Sequence, residues 1–391
     1  MDFFHFSVIS KAISTAANMC RTVTLDNFEL IRQNLSLLKD LLHREEKADL
    51  ENACLCFNYL VTGVTTLRSI SALEAVAGKD LLGKLLSLMQ SHQLEGDKSH
   101  VSQKAYGLCV KIVSTCIGHS GRLLEQVVNQ GIVSVISSAM ESLVSDPSNE
   151  ASVKVSALLN LTDQLFPELP AEFVPISYYD YYLPKRRPFP AKDPLVEKIG
   201  SKKEEGDEES GEESLEKEGE DPQISFIQQK EDFLLNLGSL ILAKLVQSYT
   251  SNTNVDVKDR CALLILKFLY FGNTQTLVEL LREVSLSNFL SNLLSSQENH
   301  TRVIALLMAN LCMEKLPDIF SKYFKKEGVV HKMHELSIDS VLVASVENRR
   351  RYEEEQKRIQ EEQQRQREEE EKRQLEEEER LRQEEERLRQ E

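Results

Sequence analysis

Apolar residues recur at three- and four-residue intervals through most of the chain, a spacing that predicts amphipathic helices. The pattern of one stretch is also repeated in another. Residues 73–90, LEAVAGKDLLGKLLSLMQ, match residues 124–141, LEQVVNQGIVSVISSAME, at an offset of 51 residues, so that Leu73 lies over Leu124. A repeat of this kind indicates copies of one helical unit.

A second pair of segments repeats further along the chain. Residues 259–271, DRCALLILKFLYF, align with residues 301–313, TRVIALLMANLCM, at an offset of 42 residues. Helical repeats of about 40–47 residues are typical of armadillo and HEAT proteins. Each repeat buries its apolar face only against its neighbours, so we predict an all-α fold, an armadillo/HEAT-like α-solenoid with a long groove.

Two segments break the repeat pattern. Residues 167–194 contain seven prolines among tyrosines and basic residues, and a run of Gly, Ser and acidic residues follows. Such a run cannot bury enough apolar surface to fold. We therefore predict helical repeats over 1–170 and 223–346, with a mostly disordered linker over 171–222. The tyrosines of the linker either dock on the solenoid or a partner, or anchor a partly ordered loop, and we favour the loop.

The last segment, 347–391, is predicted to be a charged single α-helix. Eight of its glutamates have Lys or Arg four positions later, the orientation that stabilises a helix by about 0.2–0.5 kcal/mol per pair. Its few apolar residues fall short of the two per heptad that a coiled coil requires. An isolated spacer helix is therefore favoured over a dimer seam. The helical pattern continues up to Glu391 without a stop signal, so we expect that the chain is truncated there.

The charge and the cysteines exclude several classes of protein. The formal net charge is −16 and there is no basic stripe, which argues against a nucleic-acid partner. No apolar run reaches the roughly 18–20 residues of a membrane span, and no signal peptide is apparent. Seven cysteines without a CxxC pair indicate reduced thiols. We expect a monomer in the cytoplasm, the nucleus or both.

Four asparagines are the candidate binding residues. They occupy equivalent places late in predicted repeat helices, with Cys109 midway between the second and the third, and they are Asn18, Asn58, Asn160 and Asn310. An Asn amide carries both donors and an acceptor, so a row of them is suited to clamping the main chain of an extended peptide. The alternative is that each amide pairs with local backbone or with its neighbours in the stack.

Residues for catalysis or metal binding are scarce in the sequence. The phosphate-binding, dinucleotide-binding and zinc-protease motifs are all missing. His331 and His334 lie three residues apart, but no Cys or acidic residue is spaced to complete a zinc site. We predict no catalytic residue, no metal and no cofactor.

Four stretches resemble one family. They are EKLPDIFSKYFKKEGVVHKMHEL (314–336), FELIRQNLSLLKDLLHREEKADLENACLCFNYLV (28–61), VAGKDLLGKLLSLMQ (76–90) and LKFLYF (266–271). They resemble the armadillo region of HECT-type ubiquitin ligases of the ubiquitin-fusion-degradation and thyroid receptor-interacting protein twelve class. The resemblance implies a region that recognises substrates, degrons and ubiquitin and presents them to a HECT domain.

This chain departs from the family pattern because it contains neither a HECT domain nor a Trp-rich WWE module, and the acidic linker stands in the place of that module. The leading hypothesis is therefore a non-catalytic recognition scaffold of such a ligase, with substrate proteins, degron peptides or ubiquitin as partners. The alternative is a free-standing armadillo adaptor unrelated to ubiquitin.

Overall fold

The computed structural model describes residues 6–95, 98–144, 149–170, 173, 193–195 and 222–338. Every regular element among these residues is a helix. The chain divides into two units, residues 1–323 and 324–391. The predicted tail helix and nearly all of the predicted linker lie outside the described residues.

Among the described residues, ten α-helices precede the linker. They are α1 (Phe6–Met19), α2 (Phe28–Gln33), α3 (Leu35–Asp40), α4 (Lys47–Thr66), α5 (Ile70–Ala77), α6 (Lys79–Glu95), α7 (Gln103–His119), α8 (Gly121–Asn129), α9 (Ile132–Val144) and α10 (Asn149–Asp163), with a short 3-10 helix at Leu41–His43.

Eight described α-helices follow the linker. They are α11 (Pro222–Gln229), α12 (Glu231–Ser251), α13 (Val255–Phe271), α14 (Thr274–Leu280), α15 (Leu286–Leu294), α16 (Asn299–Lys315), α17 (Pro317–Lys326) and α18 (Val329–Ile338). Pro317 opens α17, at the first helical position where proline is common. Gly328 follows the end of this helix with a positive φ of 75°, a conformation that glycine adopts readily past a helix end.

Side-chain caps fix the starts of five helices. In each case a Ser or Asn oxygen accepts a hydrogen bond from a backbone N–H two or three residues later, which satisfies a donor that the helix itself cannot pair. The caps are Ser69 for α5, Ser102 for α7, Ser120 for α8, Asn254 for α13 and Asn273 for α14.

Six long helices form one continuous row. Helices α1, α4, α7, α10, α13 and α16 each pack against the next, and we call this row the ladder. A second row runs beside it, with α6 against α9 and α9 against α12. Both rows pass directly from the helices before the linker to those after it, so the two repeat blocks stack as one solenoid. The predicted all-α armadillo-like fold is confirmed.

The interface between the two blocks contains a buried ion pair. Lys267 Nζ in α13 lies 2.6 Å from Asp163 Oδ1 at the end of α10, and both side chains are nearly inaccessible to solvent. Phe166 packs edge-on against Phe268 in the same interface, with ring centroids 4.8 Å apart. Large apolar side chains and a buried ion pair therefore help to hold the blocks together across the linker.

Candidate functional site

The solvent-facing side of the ladder is the candidate site. Among the ladder helices, α4, α7 and α16 each leave polar residues exposed, whereas α1 is mostly exposed and α13 is almost wholly buried. On α4 the stripe includes Thr62 and Thr66, on α7 Lys104 and Lys111, and on α16 Asn310. The exposed residues on this side of the ladder are polar and partly basic, although the chain as a whole carries a net negative charge.

The burial pattern sets the register between α4 and α7. Buried positions of α4 recur 52 residues later in α7, so that Ala53 corresponds to Ala105, Phe57 to Cys109 and Val61 to Val113. The predicted match of Asn58 with Cys109 is therefore one residue off, because Phe57 holds the place of Cys109. The offset of 51 residues does hold for the buried pair Leu73 and Leu124.

Extending the register to later helices separates Asn58 from Asn160 and Asn310. Buried positions of α7 recur 49 residues later in α10, so that Val113 corresponds to Thr162 and Lys111 to Asn160. Because Lys111 in turn corresponds to Tyr59 of α4, Asn160 matches Tyr59 and not Asn58. Helices α10 and α16 begin 150 residues apart, and Asn160 and Asn310 differ by the same amount. Asn160 and Asn310 thus share a place on the ladder.

The four candidate amides have different surroundings. Asn18 and Asn310 are exposed, whereas Asn58 is only 8% exposed. Asn160 is half-buried, and its Oδ1 accepts a hydrogen bond from Nη1 of Arg260 in α13. The exposed amides are free to reach a ligand main chain, while that of Asn160 is already engaged within the stack. The prediction that all four bind peptide stays a prediction.

A hollow lies on this side of the first repeats. It has a volume of about 250 Å³ and is lined by Arg21, Val23, Tyr59, Thr62, Gly63, Thr66 and Leu67. The Arg21 guanidinium lies 5.4 Å from the centroid of the Tyr59 ring, within the range of a cation–π contact. Sequence reasoning missed Tyr59, although it directly follows the asparagine that was singled out.

The linker returns to the repeats at Asp193. This carboxylate accepts hydrogen bonds from the Ser69 hydroxyl at 2.7 Å and from the Ser71 amide at 2.8 Å, at the start of α5. Burial alone raises the pKa of Asp193, but these hydrogen bonds outweigh it and the pKa is lowered. Phe173 also stacks on Tyr270 of α13, with centroids 4.8 Å apart, so the described part of the linker is anchored at two places.

The cysteines lie within the helical packing, and burial makes three of them unreactive. All seven are free and buried. Burial raises the pKa of Cys116 and of Cys312 to about 12, and it also raises the pKa of Cys261. A thiol attacks as its thiolate, so these three are poor nucleophiles near neutral pH.

The predicted histidine pair lies on α18. His331 Nε2 is 3.2 Å from Glu335 Oε1, and both side chains are largely exposed. The backbone carbonyl of His334 accepts a hydrogen bond from the Ser337 hydroxyl. The pair thus makes ordinary contacts along one helix surface.

A different cluster joins α13 and α16. His300 Nε2 lies 3.0 Å from Asp259 Oδ1 and 3.0 Å from Glu298 Oε2. The pKa of the neighbouring Tyr249 is raised to about 12, chiefly by burial and in addition by the negative charges of Asp259 and Glu298. Sequence reasoning missed this cluster.

Comparison with curated proteins confirms the resemblance to ubiquitin ligases. The chain is 27% identical over 345 residues to E3 ubiquitin-protein ligase UPL3 of Arabidopsis thaliana, covering 86% of this chain and 17% of that protein. It is 25% identical over 391 residues to E3 ubiquitin-protein ligase TRIP12 of Danio rerio, with 88% and 18% covered. A probable ubiquitin fusion degradation protein of Schizosaccharomyces pombe is 21% identical, with 85% and 18% covered. These relatives are HECT-type ligases of the class named above.

The chain thus spans less than a fifth of the length of these relatives. No family model matches it. Among solved structures, it is similar to computationally designed armadillo repeat proteins for modular peptide recognition, with a TM-score of 0.47, 12% identity, and 78% of this chain and 94% of that chain covered. Within the described ranges, no helix combines the length and the apolar composition that crossing a bilayer requires.

Proposed function

We propose that the chain is a non-catalytic recognition scaffold that binds substrate proteins, degron peptides or ubiquitin for a HECT-type ubiquitin ligase. The observation that carries the proposal is the similarity to three ubiquitin-pathway proteins over about 85% of this chain, which corresponds to one segment of each. The exposed polar residues of α4, α7 and α16 support it, since a polar surface on stacked helices suits an extended peptide.

The buried thiols support a role without catalysis in this chain. A HECT-type reaction passes ubiquitin through a cysteine thioester, which needs an accessible, thiolate-forming cysteine. Every cysteine here is buried, and burial raises the pKa of three of them. Free thiols also support residence in the reducing cytoplasm or nucleus. We expect no reducible ubiquitin adduct when the chain is incubated with activating and conjugating enzymes, and a stable adduct would reverse this assignment.

Binding experiments test the recognition role directly. The full chain is titrated with labelled degron peptides, with single ubiquitin and with ubiquitin chains, and we expect saturable binding to at least one of them. If none binds while an unrelated protein partner does, the free-standing adaptor becomes the better interpretation.

Asparagine variants test the site. We expect Asn18→Ala combined with Asn310→Ala to weaken binding by roughly tenfold, because both amides are exposed and each lost hydrogen bond contributes about 0.5–1.5 kcal/mol. The matched control is Asn292→Ala, which removes an exposed amide on α15, outside the ladder. Unchanged affinity in the double variant rules out the clamp. In that case the hollow beside Tyr59 is tested next with Tyr59→Ala.

A further inference from the structure

We propose that Asp259, Glu298 and His300 form a binding site for a divalent transition metal of the zinc class, which links α13 to α16. The inference is independent of ubiquitin or peptide binding. It rests on one nitrogen and two carboxylate oxygens that the packing of two ladder helices brings together.

The separations of the ligand atoms fit a single ion. One ligand atom from each of the three residues lies within 4.8 Å of the other two, and His300 Nε2 is 3.0 Å from an oxygen of each carboxylate. Zn²⁺ holds nitrogen and oxygen ligands at about 2.0–2.2 Å, which places two ligands of a tetrahedral ion about 3.3 Å apart. Small side-chain shifts therefore suffice to seat the ion.

Two carboxylate oxygens face the same imidazole nitrogen, each 3.0 Å from His300 Nε2. A cation between the three atoms attracts both carboxylates and uses the nitrogen lone pair. Two carboxylates around one imidazole also favour a cation by simple charge.

The supporting elements hold the ligands in place while leaving a route for the ion. Asp259 lies within α13 and its side chain is 2% exposed, so its position is set by the packed helix. Glu298 immediately precedes α16, and His300 lies in the first turn of that helix. Their side chains are 44% and 31% exposed, which opens the cluster to solvent and leaves room for water to complete the coordination.

The ligand chemistry selects the kind of ion. Imidazole suits zinc, nickel, copper and iron, whereas calcium and magnesium prefer sites made of oxygen only. We therefore expect Zn²⁺ and Co²⁺ to bind and Mg²⁺ not to compete. A bound ion adds its binding free energy to the contact between α13 and α16, so it should also stabilise the fold.

The experiment uses the full chain, reduced and stripped of metal with a chelator. Zn²⁺ is titrated by calorimetry, and Co²⁺ is titrated by visible absorption, which reports tetrahedral nitrogen and oxygen coordination and distinguishes it from thiolate binding. We expect one ion per chain and a rise in Tm on adding Zn²⁺ that EDTA reverses. Mg²⁺ is expected to leave Tm unchanged.

Variants decide whether the named residues hold the ion. His300→Gln and Glu298→Gln should each weaken Zn²⁺ binding by on the order of a hundredfold and abolish the rise in Tm, because a three-ligand site has none to spare. His331→Gln is the control, since it removes an exposed imidazole that also lies beside a glutamate. Far-UV circular dichroism verifies that the variants fold. Equal affinity in wild type and in the two ligand variants overturns the proposal, as does the absence of Zn²⁺ binding to wild type.

Discussion

At the scale of single residues, the cysteines differ in the reactivity that the fold imposes on them. Cys20 follows α1 and its thiol pairs with that of Cys56 in α4. A hydrogen bond from Cys56 lowers the pKa of Cys20 although burial opposes it, and the pKa of Cys56 is raised. Cys116 has no such partner, and burial raises its pKa to about 12. Thiolate formation is therefore favoured at Cys20 over Cys116.

This difference predicts selective alkylation. With iodoacetamide at about pH 8, the native chain should be modified at Cys20 at least about tenfold faster than at Cys116, because the thiolate is the reacting species. Peptide mass spectrometry measures both rates in one sample. Cys56→Ala removes the hydrogen bond and should slow the modification of Cys20. Equal rates at the two cysteines, or no effect of the variant, would show that the pair does not control reactivity.

At the scale of helices, one lysine closes the end of a ladder helix. Lys315 Nζ, from α16, donates hydrogen bonds to the carbonyl oxygens of Leu269 and Gly272 at 2.8 Å, and also to that of Tyr270. These are carbonyls at the C-terminus of α13, which the helix itself leaves unpaired. Burial lowers the pKa of Lys315, and the charge of Glu314 partly offsets this effect. The side chain therefore joins two repeats through backbone groups.

Removing this cap should cost stability. We expect Lys315→Met to lower the free energy of unfolding by about 1–3 kcal/mol, because hydrogen bonds from a charged donor are lost and carbonyls are left without a partner. Urea unfolding followed by circular dichroism measures the change. Lys322→Met, on the exposed surface of α17, is the control and should stay within about 0.5 kcal/mol of wild type. A similar small change for both variants would argue that water caps α13 equally well.

The sequence predicted the helices better than the contacts between them. The match of Leu73 with Leu124 was found because both are buried leucines in equivalent helices, and burial is what apolar periodicity records. The register of Asn58 was missed because the connection between repeats differs by one residue, which leaves the apolar pattern of each helix unchanged. Likewise Asp259 and His300 are 41 residues apart, and only the packing of α13 on α16 brings them together.

At the scale of the whole molecule, the junction between the two repeat blocks decides whether the chain is one solenoid. Lys267 and Asp163 meet there, buried at 2.6 Å. A buried charge that loses its partner is strongly unfavourable, whereas replacing both members with apolar residues is often nearly neutral. The pair should therefore behave as a unit.

A double-mutant cycle tests this coupling. We expect Lys267→Met alone and Asp163→Leu alone each to destabilise the chain by about 3–5 kcal/mol, and the double variant to recover most of that loss. Urea unfolding gives the four free energies. Additive losses would mean that the two side chains do not interact, and that other contacts, such as that of Phe166 with Phe268, hold the blocks together.

The direct packing of α9 on α12 and of α10 on α13 predicts that the linker is dispensable for folding. The described linker contacts are few, chiefly Phe173 on Tyr270 and Asp193 at the start of α5.

Replacing residues 174–221 with a Gly/Ser linker of about 20 residues removes the contact of Asp193 and keeps the chain connected. We expect far-UV circular dichroism to retain its helical signal and Tm to fall by only about 2 °C, since a lost surface anchor of about 1 kcal/mol has an effect of that size in a chain of this length. Asp193→Ala in the intact chain is the matched control and should reproduce most of that fall. Loss of cooperative unfolding in the shortened chain, with Asp193→Ala unaffected, would show instead that the linker is part of the solenoid core.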